Sequence, residues 1–201
     1  MVRTAWILLA LAAAPLSAEA QRPRPVLDTK AELGDAGPLR AGVSAGAMLV
    51  SGEAFYDVRH APAFHAFLAL PVDPFDEIRV GFSYSSHADT LDNRRVVVRS
   101  LYVEPLFALG SGSFVLHYGL RGAYIHQARP LFRNTMHGLG IGGVLALRRR
   151  LGARVALEGT LALTGVTFPG TDLIHPEADP DYDMWSNAWF RELRFGLIVR
   201  P

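Results

Sequence analysis

The sequence predicts an all-β protein, an up-and-down antiparallel transmembrane β-barrel of about eight strands. Three observations predict it. Apolar residues alternate with small or polar ones in segment after segment, the connections alternate between short and long, and the chain is hydrophobic without a run that spans as a helix. Half of the 201 residues are hydrophobic, a balance that points first to a membrane helix of about 20 apolar residues. The longest apolar run, Ala5 to Leu16, is shorter than that and lies at the N-terminus. Beyond it, Gly or polar residues interrupt every apolar stretch. The hydrophobicity is spread over many short segments, as in a closed barrel whose strands turn alternate side chains to lipid.

Residues 1–20 read as a cleavable signal peptide. Arg3 supplies the positive charge, Trp6 to Ala14 the apolar core, Pro15 its break, and Ala18-Glu19-Ala20 the small residues of a cleavage site. Residues 21–39 read as a periplasmic linker, carrying Pro23, Pro25, Gly34, Gly37 and Pro38 with no periodicity. The barrel is expected over 40–201. The net charge of +1, from 20 basic and 19 acidic residues, forms no basic stripe and argues against nucleic-acid binding. The absence of Cys excludes disulfides, thiolate metal sites and a lipidated cysteine.

The strands follow in order. Segments near Ala41–Val50 and Ala63–Leu70 alternate least cleanly. Ile78, Val80, Phe82 and Tyr84 oppose Glu77, Arg79, Gly81 and Ser83. Val97, Leu101, Val103 and Phe107 oppose Ser100, Tyr102 and Glu104. Phe114, Leu116, Tyr118, Leu120 and Tyr124 oppose Val115, His117, Gly119, Arg121 and Ala123. Leu139, Ile141, Leu145 and Leu147 oppose Gly138, Gly140, Gly142 and Ala146. Val155, Leu157, Leu161 and Leu163 oppose Arg154, Glu158, Thr160 and Thr164. Trp189, Leu193, Phe195, Leu197 and Val199 oppose Glu192, Arg194 and Gly196. Each segment has about 10–12 residues, enough to cross a bilayer at a tilt of about 45°. Pro71–Pro74, Gly110–Gly112 and Arg149–Gly152 read as tight turns. Gly52–Arg59, His87–Arg95, Ala128–Asn134 and Thr167–Asn187 read as longer loops. A soluble barrel with its apolar face inside would expose a parity rich in Lys, Asp and Glu. Here that parity is rich in Gly, Ala, Ser and Thr, and Lys30 in the linker is the only lysine of the chain.

With these features the mature chain resembles the small bacterial outer-membrane β-barrel proteins related to the OmpA transmembrane domain and the OmpW/OmpX group. The resemblance implies location in the outer membrane, with lipid and lipopolysaccharide as partners and the longer loops outside the cell. Many members end in an aromatic residue on the last strand, whereas this chain ends Gly196-Leu197-Ile198-Val199-Arg200-Pro201, with Phe195 upstream.

The strongest candidate constellation is an inward charged network of Arg79, Glu104, Arg121, Glu158, Glu192 and Arg194, with Tyr102 and His117 on the same side. Charges in a narrow lumen must pair or stay hydrated, because an unpaired buried ion is costly. The network is expected to plug the lumen of a structural or surface-interaction protein; a narrow pore for ions or small solutes is the alternative. The enzyme alternative, lipid A acyl modification, would need His and Ser two residues apart on one face of a strand. No His is followed by Ser at that spacing, and Ser85–His87, in reverse order, reads as an interfacial pair at a strand-to-loop junction. No catalytic motif is found, and no cofactor is expected. His126 and His137 flank an outer loop near the headgroups. Asp179, Asp181 and Asp183 alternate in the longest loop, but the Gly and the distant Glu of a calcium loop are missing, so an acidic solvated loop is expected rather than a metal site. Trp185, Trp189 and Phe190 read as an interfacial aromatic belt. Gly138–Gly143 lacks the Lys-Ser/Thr ending of a phosphate loop, and Arg148–Arg150 reads as a solvated turn.

Overall fold

The computed structural model describes residues 39–52, 55, 58–72, 75–89, 95–110, 113–129, 134–169 and 185–200. The expected signal peptide, all of the linker but Leu39, and the Asp179–Asp183 loop lie outside the described residues. Eight strands follow: β1 Arg40–Gly52, β2 Ala61–Val72, β3 Phe75–Ala88, β4 Arg95–Leu109, β5 Phe114–Arg129, β6 Asn134–Arg150, β7 Val155–Pro169 and β8 Trp185–Val199. Each pairs antiparallel with the next, and β8 pairs back to β1, so the barrel is closed. Closure removes the unpaired strand edge that an open sheet would present.

The stagger of the ladder follows from the register. A row of paired residues starts at Arg99 and passes through Tyr84, Phe64, Ala45, Phe195, Gly159, Leu147 and Leu116. It returns to β4 at Leu109, ten residues from its start. A stagger of that size goes with strands tilted by about 35–45°. Apart from β2, which has 12 residues, the strands run to between 13 and 17 residues and exceed the expected length because pairing continues into segments that look like loops. Arg129 pairs with Asn134, so the β5–β6 connection shrinks to 130–133, no longer than the turn at 110–113. Arg148 pairs with Glu158 and Arg150 with Ala156, so the expected solvated turn at Arg148–Arg150 is the end of β6. Arg154 precedes β7 and is exposed instead of sharing the inward face.

The outer parity is apolar on every strand: Leu139 is 71% and Ile141 72% exposed, with Val43, Phe64, Val80, Leu101, Leu120, Leu161 and Phe195 also exposed. Outward aromatics gather towards both ends. Phe107 and Tyr118 meet near the short turns in a tilted pair with centroids 5.8 Å apart, and the half-buried Phe75 at the start of β3 packs its ring against Phe107 at 5.1 Å. Phe64, Tyr84, Tyr124 and Trp189 lie on the loop side. Phe190 is not part of the belt. It shares the parity of Glu192 and Arg194 and is buried inside, against the edge of Phe55 at 5.2 Å. Phe55 and Phe168 join it, with Met48, Val50, Val98 and Ile125 also buried, so the loop-side lumen is largely apolar, with Ser85, His87 and Gln127 buried among these side chains.

Inward glycines make room for bulky partners. A Cβ on Gly81 would lie against the ring of its neighbour Tyr102, and one on Gly42 against Phe67. Tyr102 has little freedom to move, since the Arg121 and Arg194 guanidinium carbons lie 4.6 and 5.4 Å from its ring centre. Gly81→Val is therefore expected to cost about 1–3 kcal/mol by overpacking. The check is the urea unfolding midpoint of the refolded barrel, with Tyr102→Ala added in the same chain. Recovery of part of the loss is expected; an unchanged midpoint in the single variant would defeat the prediction.

Candidate functional site

Every strand sends a basic or acidic side chain, or a histidine, into the ionic layer of the barrel. They are Arg40 from β1, His65 from β2, Glu77 and Arg79 from β3, Glu104 from β4, Arg121 from β5, Arg148 from β6, Glu158 from β7, and Glu192 and Arg194 from β8. The cause is local, because in a strand successive side chains point to opposite faces, and these residues share the inward parity. The six residues singled out by sequence are each between 0 and 6% exposed.

Two clusters are evident. Nearer the short turns, Arg79 grips Glu158 with both terminal nitrogens at 2.7 and 2.6 Å, and its Nε donates to Glu77 at 2.6 Å. Arg148 donates to Glu77 at 3.0 and 2.6 Å and to Glu158 at 3.1 and 3.0 Å. Arg40, at the rim, adds a bond to Glu77 at 3.0 Å, and Thr160 donates to Glu158 at 3.1 Å. Further in, Arg121 donates to Glu104 at 2.8 and 2.5 Å and to Glu192 at 2.8 Å. Arg194 donates to Glu104 at 2.9 Å, to His65 Nδ1 at 3.1 Å and to the Tyr102 hydroxyl at 3.3 Å. Arg79 Nη1, 3.9 Å from Glu104, joins the clusters. The four deep arginines, Arg79, Arg121, Arg148 and Arg194, match the four glutamates in charge. Bidentate guanidinium–carboxylate contacts are the geometry that best offsets the cost of taking ions out of water.

Sequence reasoning left out Glu77, Arg148 and His65. Glu77 was already on the polar parity. The signal for Arg148 was the run of small inward residues on β6, which continues through Val144 and Ala146 to position 148. His117 is buried on the same side, but its Nδ1 has no hydrogen-bond partner among the described residues. A cavity of about 10 Å³, near the lower limit for one water, lies between the ionic and apolar layers, lined by Met48, Ser100, Arg121, Thr164, Phe190 and Glu192 among others. A larger depression, about 700 Å³, is on the outer wall beside Leu145, Leu161 and Arg191.

Ser85 and His87 are not an interfacial pair. β3 continues through Ala88, so both keep the inward parity and are 1% and 0% exposed. His87 Nδ1 donates to the Arg59 carbonyl at 2.8 Å, which leaves Nε2 to accept from the Ser85 hydroxyl at 2.8 Å. This is a serine–histidine hydrogen bond enclosed within the barrel. Among the described residues, no group of three or more metal-ligating side chains is found.

No family model and no curated protein sequence matches the chain. Among solved structures, it is similar to the crystal structure of Neisserial surface protein A (NspA), with a TM-score of 0.57 and 10% identity over 83% of this chain and 99% of that one. At that identity the likeness is one of fold. The chain has the closed, eight-stranded antiparallel barrel that its resemblance to small outer-membrane β-barrels implies.

Proposed function

We propose that the protein is a bacterial outer-membrane β-barrel, exported through its signal peptide, with a structural or surface-interaction role in the envelope and a lumen closed by the charged network. One observation carries the reading: polarity is inverted, with charges paired inside and apolar side chains exposed on all eight strands. In water such a surface would drive aggregation. In lipid it is the surface a spanning barrel needs. The ion pairs and the aromatic layer of Phe55, Phe168 and Phe190 support closure, because an ion crossing the barrel would have to break salt bridges and then pass a largely apolar layer.

The test compares boiled and unboiled protein from outer membranes in mild SDS, followed by recordings in planar bilayers. A faster-migrating unboiled form and silent bilayers are expected. A soluble periplasmic protein with no heat shift would overturn the membrane reading. Stepwise conductance would replace the closed lumen with a narrow pore.

A further inference from the structure

We propose that the outer wall on the loop side carries a binding site for the phosphate of an outer-leaflet phosphorylated glycolipid, formed by Arg99, His126 and His137. The inference rests on the membrane reading above and assigns a residue-level contact to it. Tyr84, Arg99, His126 and His137 are consecutive cross-strand partners on β3 to β6, all on the outer parity. The row below them is Phe82, Leu101, Tyr124 and Leu139, and the row above is Ser86, Val97, Ala128 and Thr135. The row runs obliquely, because the ladder is staggered by ten residues around the barrel, and rises towards the loops from Tyr84 to His137; it crosses the loop-side margin of the apolar band, where lipid headgroups begin.

The charges at this edge are unbalanced. No carboxylate pairs with Arg99 among the described residues. Asp76 is the one carboxylate on the outer parity of the described strands, and it lies at the opposite end, accepting from the Ala108 amide. An arginine on the lipid face is costly unless it reaches the interface, and a planar guanidinium fork suits a phosphate better than any other exposed side chain does. The histidines are placed to help. Their ring centres are 4.9 Å apart, and the Tyr124 hydroxyl lies 2.5 Å from His137 Nδ1. Donation from the phenol to Nδ1 leaves His137 Nε2 as an N–H donor. Arg95, four residues before Arg99 on the same exposed face, adds a second cation above the row.

The test is native mass spectrometry of the full refolded protein in non-ionic detergent, titrated with bisphosphorylated lipid A and with its dephosphorylated form. The wild type is expected to retain the phosphorylated lipid about ten-fold better than the dephosphorylated one. Arg99→Gln should remove that preference, Arg99→Lys should keep part of it, and Arg149→Gln, at the far end of the wall, should leave it intact. The heat shift in SDS should be the same in all four proteins. Equal retention of the two lipids by the wild type, undiminished preference in Arg99→Gln, or displacement of the lipid by millimolar inorganic phosphate would overturn the proposal. Should Arg99→Gln fail to fold, Arg99→Lys and a His126→Gln/His137→Gln variant decide it by the same preference. Loss of the heat shift in the wild type itself would instead sink the membrane reading on which the site depends.

Discussion

Replacing Arg79 with methionine is expected to destabilise the barrel by about 3–5 kcal/mol, because it strips a buried network of its central cation. Arg79 is fully buried, makes three hydrogen bonds to Glu158 and Glu77, and links the two charged clusters through Glu104. Without it, the two buried carboxylates Glu77 and Glu158 are left with Arg148 and, on Glu77 alone, Arg40 at the rim. The measurement is equilibrium urea unfolding of the refolded protein in phosphatidylcholine vesicles, followed by tryptophan fluorescence. Glu158→Gln in the same background should recover part of the loss, since it removes one of the orphaned charges. Arg79→Lys should fall between wild type and Arg79→Met, since an ammonium keeps the charge but not the fork that holds Glu158 at two points. A cost below about 1 kcal/mol for Arg79→Met would place it among exposed ion pairs and refute a network that holds the barrel together.

Ile141→Arg should cost about 2–4 kcal/mol in vesicles, a penalty comparable to that of an arginine on the lipid face of a barrel near the bilayer midplane. Ile141 lies near the middle of β6, 72% exposed, in a row with Val80, Val103 and Gly122. The prediction discriminates through its size. On the water-facing surface of a soluble barrel, the same exchange would change stability by no more than about 0.5 kcal/mol. Urea unfolding in vesicles reads the difference directly, and a near-zero effect there would mean that the apolar parity does not face lipid. Gly143→Arg, on the same parity of β6, makes a second site for the comparison and should be penalised in the same direction.

Local pattern was enough for much of this protein. Alternation places Arg79, Glu104, Arg121, Glu158, Glu192 and Arg194 on one parity and leucine, valine and aromatic residues on the other, because side-chain direction in a strand is set residue by residue. The choice of apolar outside over apolar inside was also legible, from the small residues and scarce lysine on the polar parity. Alternation failed where both parities are apolar or where a segment looks like a turn. Phe190 next to Trp189 reads as a belt residue, His87 as a loop residue and Arg148 as part of a solvated turn. His87 and Arg148 are inward because their strands run further than composition suggests, and strand ends are decided by pairing with a neighbour, as Arg148 with Glu158 shows; Phe190, within the last segment, is inward by the parity it shares with Glu192. Partner choice lay further out of reach. Arg79 on β3 meets Glu158 on β7 across the barrel, and Arg194 on β8 meets Glu104 on β4. Those meetings depend on the ten-residue stagger accumulated around the closed sheet, a quantity that no single segment contains. The sequence by itself determined the strands, their faces and the side on which charge collects. Closure and register, which are non-local, decided which charges touch and which side chains fill the loop-side lumen.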